Sequence, residues 1–325
     1  MLYVTTRNDQ DTFTLQRVMT QGRGDDGGLY LPLHFPRLSD ADLKKLREQS
    51  FNQRIASVLN LFFTSKLSGW DVDFSVGRYP VRLKELSHRI LMGEFWHNLQ
   101  WKYDYLEKKL AELISCENIS CGSWVSIAIR MAILAAAILE DYDADSDKID
   151  IAAVHNDFSN LVSSWYLRKM GFPVGNVICC CAETNTIWEL ACLGQMKTDN
   201  MIPDNLERIL YDCGGVKEAV RFSFSCSGTS VYTASDAALE HLRQSLYVSV
   251  VSSDRVQSAV PNVFRTYDYV LQTESALAYC GLMDYRSKTG ITRPVIVVSD
   301  YSPILEAEKI ADWMNLSKED LLQMI

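Results

Sequence analysis

The sequence predicts an α/β fold with a largely parallel sheet, in which strands alternate with helices. Two observations carry this prediction. Ile149–Val154 is a short apolar run with the length and composition of a strand that is covered on both faces. The apolar residues of 161–170 then recur at helical spacing, and Gly171 and Pro173 end this helix before a second apolar run at 177–181. The three segments form a βαβ unit, whose two strands we expect to be parallel.

Composition limits the class of protein. The chain has 325 residues, of which 47% are hydrophobic and 22% charged, as in an ordinary globular protein of one large or two ordinary domains. Its formal net charge of −9 argues against a nucleic-acid partner, because such binding depends on basic residues that neutralise phosphates. The longest apolar run, 127–139, contains Arg130 and is too short to cross a bilayer, and no signal peptide opens the chain. We therefore expect a cytoplasmic protein with neither a nucleic-acid nor a membrane partner.

The nine cysteines show no spacing typical of a disulfide framework or a zinc site, which indicates a reducing compartment and no bound metal. Cys179, Cys180 and Cys181 are consecutive and lie in the second predicted strand. We interpret them as buried small hydrophobes rather than as redox or metal-binding groups, because free cysteine is among the most buried residue types.

Short elements follow one another in the first part of the chain. Turn residues separate them, and Ser39 is a predicted helix N-cap that pairs with Asp42. The predicted elements are a strand at 2–6, a helix at 13–19, a glycine-rich loop before 29–32, a helix after Ser39 and an amphipathic helix at 51–63.

The rest of the chain continues the alternation on either side of the βαβ unit. The predicted elements are a helix at 119–140, a helix with an Asp204–Glu207 capping box, a helix opened by Ser235, a helix at 266–286, a buried strand at 294–298 and a helical turn capped by Ser302 with Pro303 at its start.

The turn of the βαβ unit points to an anion, because the backbone N–H groups of such turns and the following helix N-terminus commonly bind phosphate. This turn resembles the phosphate-binding turn of threonine synthases, which are pyridoxal 5'-phosphate (PLP) enzymes of the tryptophan-synthase-β fold, or fold type II. Their turn is of the Ser-Gly-Asn-Phe-Gly-Asn type, whereas here it reads His155-Asn156-Asp157-Phe158-Ser159-Asn160. The resemblance implies a PLP cofactor, with a phosphate seat at Asn156, Asp157, Phe158, Ser159 and Asn160.

This seat departs from the family pattern in a way that disfavours phosphate. Asn156 and Ser159 replace the two glycines, which let the backbone approach the ligand closely. Asp157 adds a carboxylate beside the expected dianion, and like charges at about 4 Å in a partly solvated site repel by a few kcal/mol. We expect weak or absent PLP binding.

The N-terminal segment TQGRGDDGGLYLP, residues 20–32, resembles the threonine synthase N-terminal unit, in which a glycine-rich loop precedes a Gly-Leu-hydrophobic-x-Pro run. The resemblance implies a threonine-synthase-type N-terminal domain at 1–90 and a PLP-enzyme-like α/β domain at 91–325. A phosphate cradle is the alternative for these glycines, but Asp25 and Asp26 would repel the ligand.

Lys102 is the candidate Schiff-base residue. In threonine synthases a Phe-His-Gly-Pro-Thr-x-x-Phe-Lys-Asp run carries the lysine, and this chain offers Phe95, His97 and Trp101-Lys102 with a shorter gap and no Gly-Pro-Thr. Flanking aromatic residues would partly desolvate the amine, as a nucleophilic lysine requires. The alternative, which the helical pattern favours, is that Lys102, like Lys108 and Lys109, lies on the solvated face of a helix.

Two further features bear on the site. Asp300 follows the last strand, where the resemblance places a hydroxyl that faces the pyridine nitrogen of PLP. Asp300 could pair with that nitrogen, although the Ser302–Pro303 helix cap is a sufficient structural explanation of the segment.

The Ser-Gly-Asp-Thr-Gly loop that holds the substrate carboxylate in the family is absent, and the resemblance implies that the small substrate domain of about a hundred residues is missing.

Two functions remain open on the sequence. The first is a threonine synthase-like, PLP-dependent lyase or synthase, which by resemblance would convert O-phosphohomoserine to threonine, with impaired or lost catalysis. The second is a non-catalytic pseudoenzyme that binds a metabolite or a protein. A fold by itself does not carry function, so the choice depends on the site.

Overall fold

Strands and helices alternate along the chain, as predicted for an α/β fold. The computed structural model describes all residues except 64–65, 78–79, 88, 97–102, 114–115, 117–118, 121–122, 142–147, 157, 183–185, 199–204 and 230. The strands are β1 (Tyr3–Thr5), β2 (Asn8–Phe13), β3 (Tyr30–Pro32), β4 (Arg82–Ser87), β5 (Ile90–Glu94), β6 (Ile149–Val154), β7 (Val174–Ala182), β8 (Gln195–Lys197), β9 (Val231–Thr233), β10 (Leu246–Val251) and β11 (Val295–Ser299).

The helices lie between these strands and after the last of them. They are α1 (Leu15–Thr20), α2 (Asp40–Arg47), α3 (Phe51–Phe62), α4 (Gly69–Val76), α5 (Tyr103–Leu113), α6 (Trp124–Asp141), α7 (Ser159–Lys169), α8 (Thr186–Leu193), α9 (Asn205–Phe224), α10 (Asp236–Ser245), α11 (Ser253–Tyr267), α12 (Thr273–Thr289), α13 (Ala307–Met314) and α14 (Lys318–Leu322). A π-helical segment lies at Ser225–Thr229 and a 3-10 helix at Pro303–Glu306.

A six-stranded sheet positions the candidate site. Its strand order is β10-β7-β6-β11-β5-β4, and every neighbouring pair is parallel except β4 with β5. All residues of β6 and β11 are buried, as expected for central strands with helices on both faces. The carboxyl ends of β5, β6, β7, β10 and β11 therefore meet at one edge, which is where ligands bind in open parallel sheets.

The predicted βαβ unit is confirmed as β6, α7 and β7. Gly171 has φ +98, a value that favours glycine, and it follows the end of α7 as the sequence predicts. Cys179, Cys180 and Cys181 are each 0% exposed, so the interpretation as core residues of a strand is also confirmed. No group of three or more His, Cys, Asp or Glu in the described part of the chain is arranged to hold a metal ion.

A small antiparallel sheet of order β2-β1-β3 lies at the start of the chain. Glu207 of α9 connects it to the rest of the protein: its carboxylate accepts hydrogen bonds from Thr6 Oγ1 at 2.5 Å and from Arg7 Nη2 at 2.9 Å. Tyr3 and Phe62 belong to the same hydrophobic core cluster as β6 and β7. Strand β4, within the range 1–90, pairs with β5 in the main sheet. The N-terminal region thus shares its core with the α/β region.

Several predicted helix starts are confirmed. Ser39 and Asp42 form a capping box at α2, Ser235 accepts a hydrogen bond from Ala238 N at α10, and Ser302 caps the 3-10 helix. The predicted helix at 51–63 is α3. Asp204 lies outside the described residues.

Other boundaries differ from the prediction. Residues 8–13 form β2, so the helix expected at 13–19 begins only at Leu15. The helix expected at 119–140 begins at Trp124. The helix expected at 266–286 is divided, because Asp268 adopts the left-handed conformation at φ +51 and ends α11, and Gln272 then caps α12 with its side chain. Among the described residues, no helix has the length and apolarity needed to cross a membrane.

Candidate functional site

The turn between β6 and α7 lies at the carboxyl edge of the sheet. Phe158, at the N-cap position of α7, has a left-handed φ of +64 and is 1% exposed, so its ring is packed in the core while its backbone makes the turn. No side chain caps this helix, although its first residues, Ser159 and Asn160, are buried. Among the described residues of the turn, only Phe158 has a positive φ. Asn156 and Ser159, which stand where the family has glycine, therefore do not adopt the left-handed conformation that favours glycine.

Asp300, directly after β11, is bound by side chains from two helices. Arg130 Nη1 of α6 donates to Asp300 Oδ1 at 2.5 Å, and Asn160 Nδ2 of α7 donates to Asp300 Oδ2 at 2.6 Å. The side chains of Arg130 and Asp300 are only 16% and 17% exposed, so water screens this ion pair weakly. Both oxygens of the carboxylate are therefore engaged, at the first turn of α7.

A second carboxylate, Glu274, lies close by in the first turn of α12. Burial raises the pKa of the Glu274 carboxyl and the charges of Asp300 and Glu306 raise it further, while a hydrogen bond with the Asn156 side chain opposes the shift. Glu274 Oε2 is buried and has no hydrogen-bond partner. Glu306, in contrast, accepts from Gln272 Nε2 and from Thr273 N.

An imidazole and a pair of thiols complete this edge. The Sγ atoms of Cys179 and Cys181 are 3.6 Å apart on one face of β7. The hydrogen bond with Cys179 and the interaction with His155 lower the pKa of the Cys181 thiol, although burial opposes both. Burial disfavours a charged His155, but its interactions with Cys181, the backbone of Cys180 and Glu274 outweigh burial and raise the pKa of the imidazole.

The residues predicted from the sequence have different positions in this arrangement. Asn156 is exposed, whereas Phe158, Ser159 and Asn160 are buried, and Asn160 contacts Asp300. Lys102 and Asp157 lie outside the described residues. In α5, Leu106 and Leu110 are 0% exposed and Lys108 is exposed, as the alternative predicts for Lys108.

Sequence reasoning missed Arg130 and Glu274 as members of the site. Arg130 interrupts the apolar run 127–139, and a single arginine in a buried helix is a signal for a buried anion, since such a charge needs a partner. Glu274 gave no comparable signal, because an acidic residue in the first turn of a helix is ordinary.

Comparisons with known proteins agree with this fold. Residues 2–76 match the family described as "Threonine synthase N terminus". The structure is similar to PLP-bound threonine synthase from Brucella melitensis, with a TM-score of 0.82 and 15% identity over 97% of this chain and 92% of that one. It is also similar to yeast threonine synthase (TM-score 0.84, 13% identity, 99% and 93% covered) and to the Escherichia coli enzyme (0.72, 12%, 98% and 92%). No curated protein matches the chain by sequence.

Proposed function

We propose that this chain, which has a threonine synthase-type N-terminal region and the fold-type-II fold of threonine synthases, has lost the conversion of O-phosphohomoserine to threonine. Its seat at the start of α7 then holds PLP weakly or not at all. The observation that carries this proposal is the environment of Asp300, whose two carboxylate oxygens accept from Arg130 and Asn160. A carboxylate of the chain itself is bound beside the helix N-terminus where the family resemblance puts the phosphate of the cofactor.

Electrostatics argue against a phosphate at this place. A dianion at the first turn of α7 would approach Asp300, and Glu274 lies within electrostatic range of Asp300. At about 4 Å and an effective dielectric constant of about 20, each pair of like unit charges repels by about 4 kcal/mol. A helix N-terminus returns only about 0.3–2 kcal/mol, and the charge of Arg130 offsets that of Asp300 but leaves the Glu274 carboxylate unbalanced. The residues present therefore do not fit the phosphate group.

The pyridine nitrogen of PLP would have to share Asp300 with the chain's own side chains. The resemblance implies that Asp300 would face this nitrogen, but both oxygens of the carboxylate already accept from Arg130 and Asn160. The charge of Arg130 offsets the carboxylate charge that would stabilise a protonated pyridine nitrogen, so we derive no catalytic step through PLP.

The substrate side supports the same proposal. The sequence has no Ser-Gly-Asp-Thr-Gly loop, and among the described residues only the six-stranded sheet contains parallel strands, with no second parallel α/β unit to hold the substrate carboxylate. An enzyme accelerates a reaction only through contacts that strengthen in the transition state, so losing the group that positions the substrate lowers both affinity and rate. The function that remains is binding of a small metabolite or of a protein, and we place it in the cytoplasm.

The direct test is to incubate the purified chain with PLP in excess and with O-phosphohomoserine, and to measure threonine and phosphate. We expect no threonine above the level of a Lys102→Ala control. Threonine formed by the unmodified chain and abolished by Lys102→Ala would overturn the proposal and establish an active PLP-dependent lyase with Lys102 as its Schiff-base residue.

A further inference from the structure

Two side chains near Asp300 each carry a buried oxygen without a donor: Asn160 in the first turn of α7 and Glu274 in the first turn of α12. We propose that they form a site that binds a small ligand through a primary ammonium group, with Glu274 and Asn160 as its acceptors. The inference rests on the proposed function, because it requires that PLP does not occupy the edge. It names the class of ligand: a cation with several N–H donors, in place of a phosphate.

Glu274 supplies the charge. Its carboxylate is partly buried, and neither an Arg nor a Lys in the described part of the chain pairs with it, whereas Asp300 has Arg130 and Glu306 has Lys309. The dipole of α12 favours an acid in this first turn, but it gives Glu274 Oε2 no donor. A buried carboxylate oxygen without a donor is costly, and a bound ammonium would satisfy it with a charge-assisted hydrogen bond.

Asn160 supplies an independent indication of a ligand with N–H donors. Its side-chain amide is oriented by Asp300, because only Nδ2 can donate to a carboxylate. The other end of the amide, Oδ1, is therefore an acceptor, and it has no hydrogen-bond partner although Asn160 is only 6% exposed. Buried amide oxygens are normally paired, so this one marks a place where a donor is missing.

The surrounding groups fit a cation rather than an anion. Thr273 Oγ1 is also buried without a partner, and it can accept a hydrogen bond. His155 Nδ1 is buried without a partner as well, and it can accept a hydrogen bond only while the imidazole is neutral. Glu274 feels the negative charges of Asp300 and Glu306 and the positive charge of His155 when it is protonated. Arg130 is held by Asp300. A metal ion is disfavoured, since the described residues contain no group of three or more suitable ligands.

Calorimetric titration of the PLP-free protein with propylammonium chloride tests the proposal at fixed ionic strength. Sodium propionate carries the opposite charge, and tetramethylammonium chloride carries the same charge without N–H donors. We expect saturable binding of propylammonium only. The Glu274→Gln variant should bind it about tenfold or more weakly, because the amide oxygen of Gln still accepts a hydrogen bond but carries no negative charge. Glu240→Gln, on the exposed face of α10, is the matched control and should bind as the wild type does.

Three outcomes would overturn the proposal: no saturable binding of propylammonium, equal binding of tetramethylammonium, or equal affinity in Glu274→Gln. The comparison among the three ligands needs no variant, so it decides the matter independently of Glu274→Gln. A protein that forms threonine with PLP would refute the proposed function separately, since the titration uses protein without PLP.

Discussion

Replacing Arg130 by methionine removes the cation that holds Asp300 and keeps an unbranched side chain in the buried helix α6. The side chains of Arg130 and Asp300 are 16% and 17% exposed, so the pair is intermediate in burial. A surface ion pair contributes about 0–1 kcal/mol to stability, and the disruption of a buried pair costs about 3–5 kcal/mol. We expect Arg130→Met to lower the free energy of unfolding by about 2–3 kcal/mol, since Asp300 keeps only the hydrogen bond from Asn160. Asp300→Asn leaves Arg130 without its anion and should cost about 1–2 kcal/mol.

The double variant measures the pair itself. If Arg130 and Asp300 stabilise the protein mainly through their ion pair, the double variant Arg130→Met, Asp300→Asn should be no less stable than Arg130→Met alone. The two single effects would then exceed the effect of the double variant by a coupling energy of about 1–2 kcal/mol. Urea unfolding of the four proteins gives these values, provided that the dependence on denaturant is the same in each. Arg265→Met, at an exposed arginine of α11, is the control and should change stability by less than about 0.5 kcal/mol. Additive effects of the two substitutions would refute the reasoning.

Three further results are expected. Glu274→Gln should be more stable than the wild type at pH 7, because burial raises the pKa of Glu274 and so makes its charged form unfavourable in the folded protein. In urea unfolding, this difference in stability should shrink as the pH falls through the raised pKa, and it should vanish where Glu274 is protonated in both the folded and the unfolded state. A difference that persists in acid would contradict this explanation. Glu207→Gln should lower the free energy of unfolding by about 1.5–3 kcal/mol, because it leaves Arg7 without its anion. The control Glu240→Gln should change it by less than about 0.5 kcal/mol, and equal effects of the two variants would show that Glu207 does not anchor the N-terminal sheet. If borohydride traps any PLP, peptide mapping should find it on Lys102, and a label on another lysine would discard that assignment.

Local signals in the sequence predicted the local parts of the fold. Ser39, Ser235 and Ser302 cap helices because a short polar side chain satisfies the N–H groups of its own first turn, and no distant residue is needed. The apolar β6 and the glycine after α7 were likewise read from adjacent residues. These elements define the carboxyl edge and the turn at 155–160.

Tertiary pairing decided what the sequence did not predict. Strand β2 reads NDQDTF, which has little strand propensity, and it exists because it pairs with β1 at the edge of a small sheet. The ion pair between Arg130 and Asp300 joins residues 170 positions apart, and the bond between Asn160 and Asp300 spans 140. A single sequence does not show which distant residues pair with each other. The position of Arg130 in an apolar run indicates only that it needs a buried partner, not that the partner is Asp300.

Absorbance spectroscopy of the purified chain with PLP, before and after dialysis and borohydride reduction, tests most directly whether the cofactor seat has been lost. We predict that the unmodified chain retains no PLP and shows no band of covalently bound cofactor, and that Asp157→Asn with Ser159→Gly increases binding by removing a carboxylate and a side chain from the turn. Stable PLP binding by the unmodified chain, with a borohydride-reducible band and no gain from these substitutions, would contradict the prediction and favour an active enzyme.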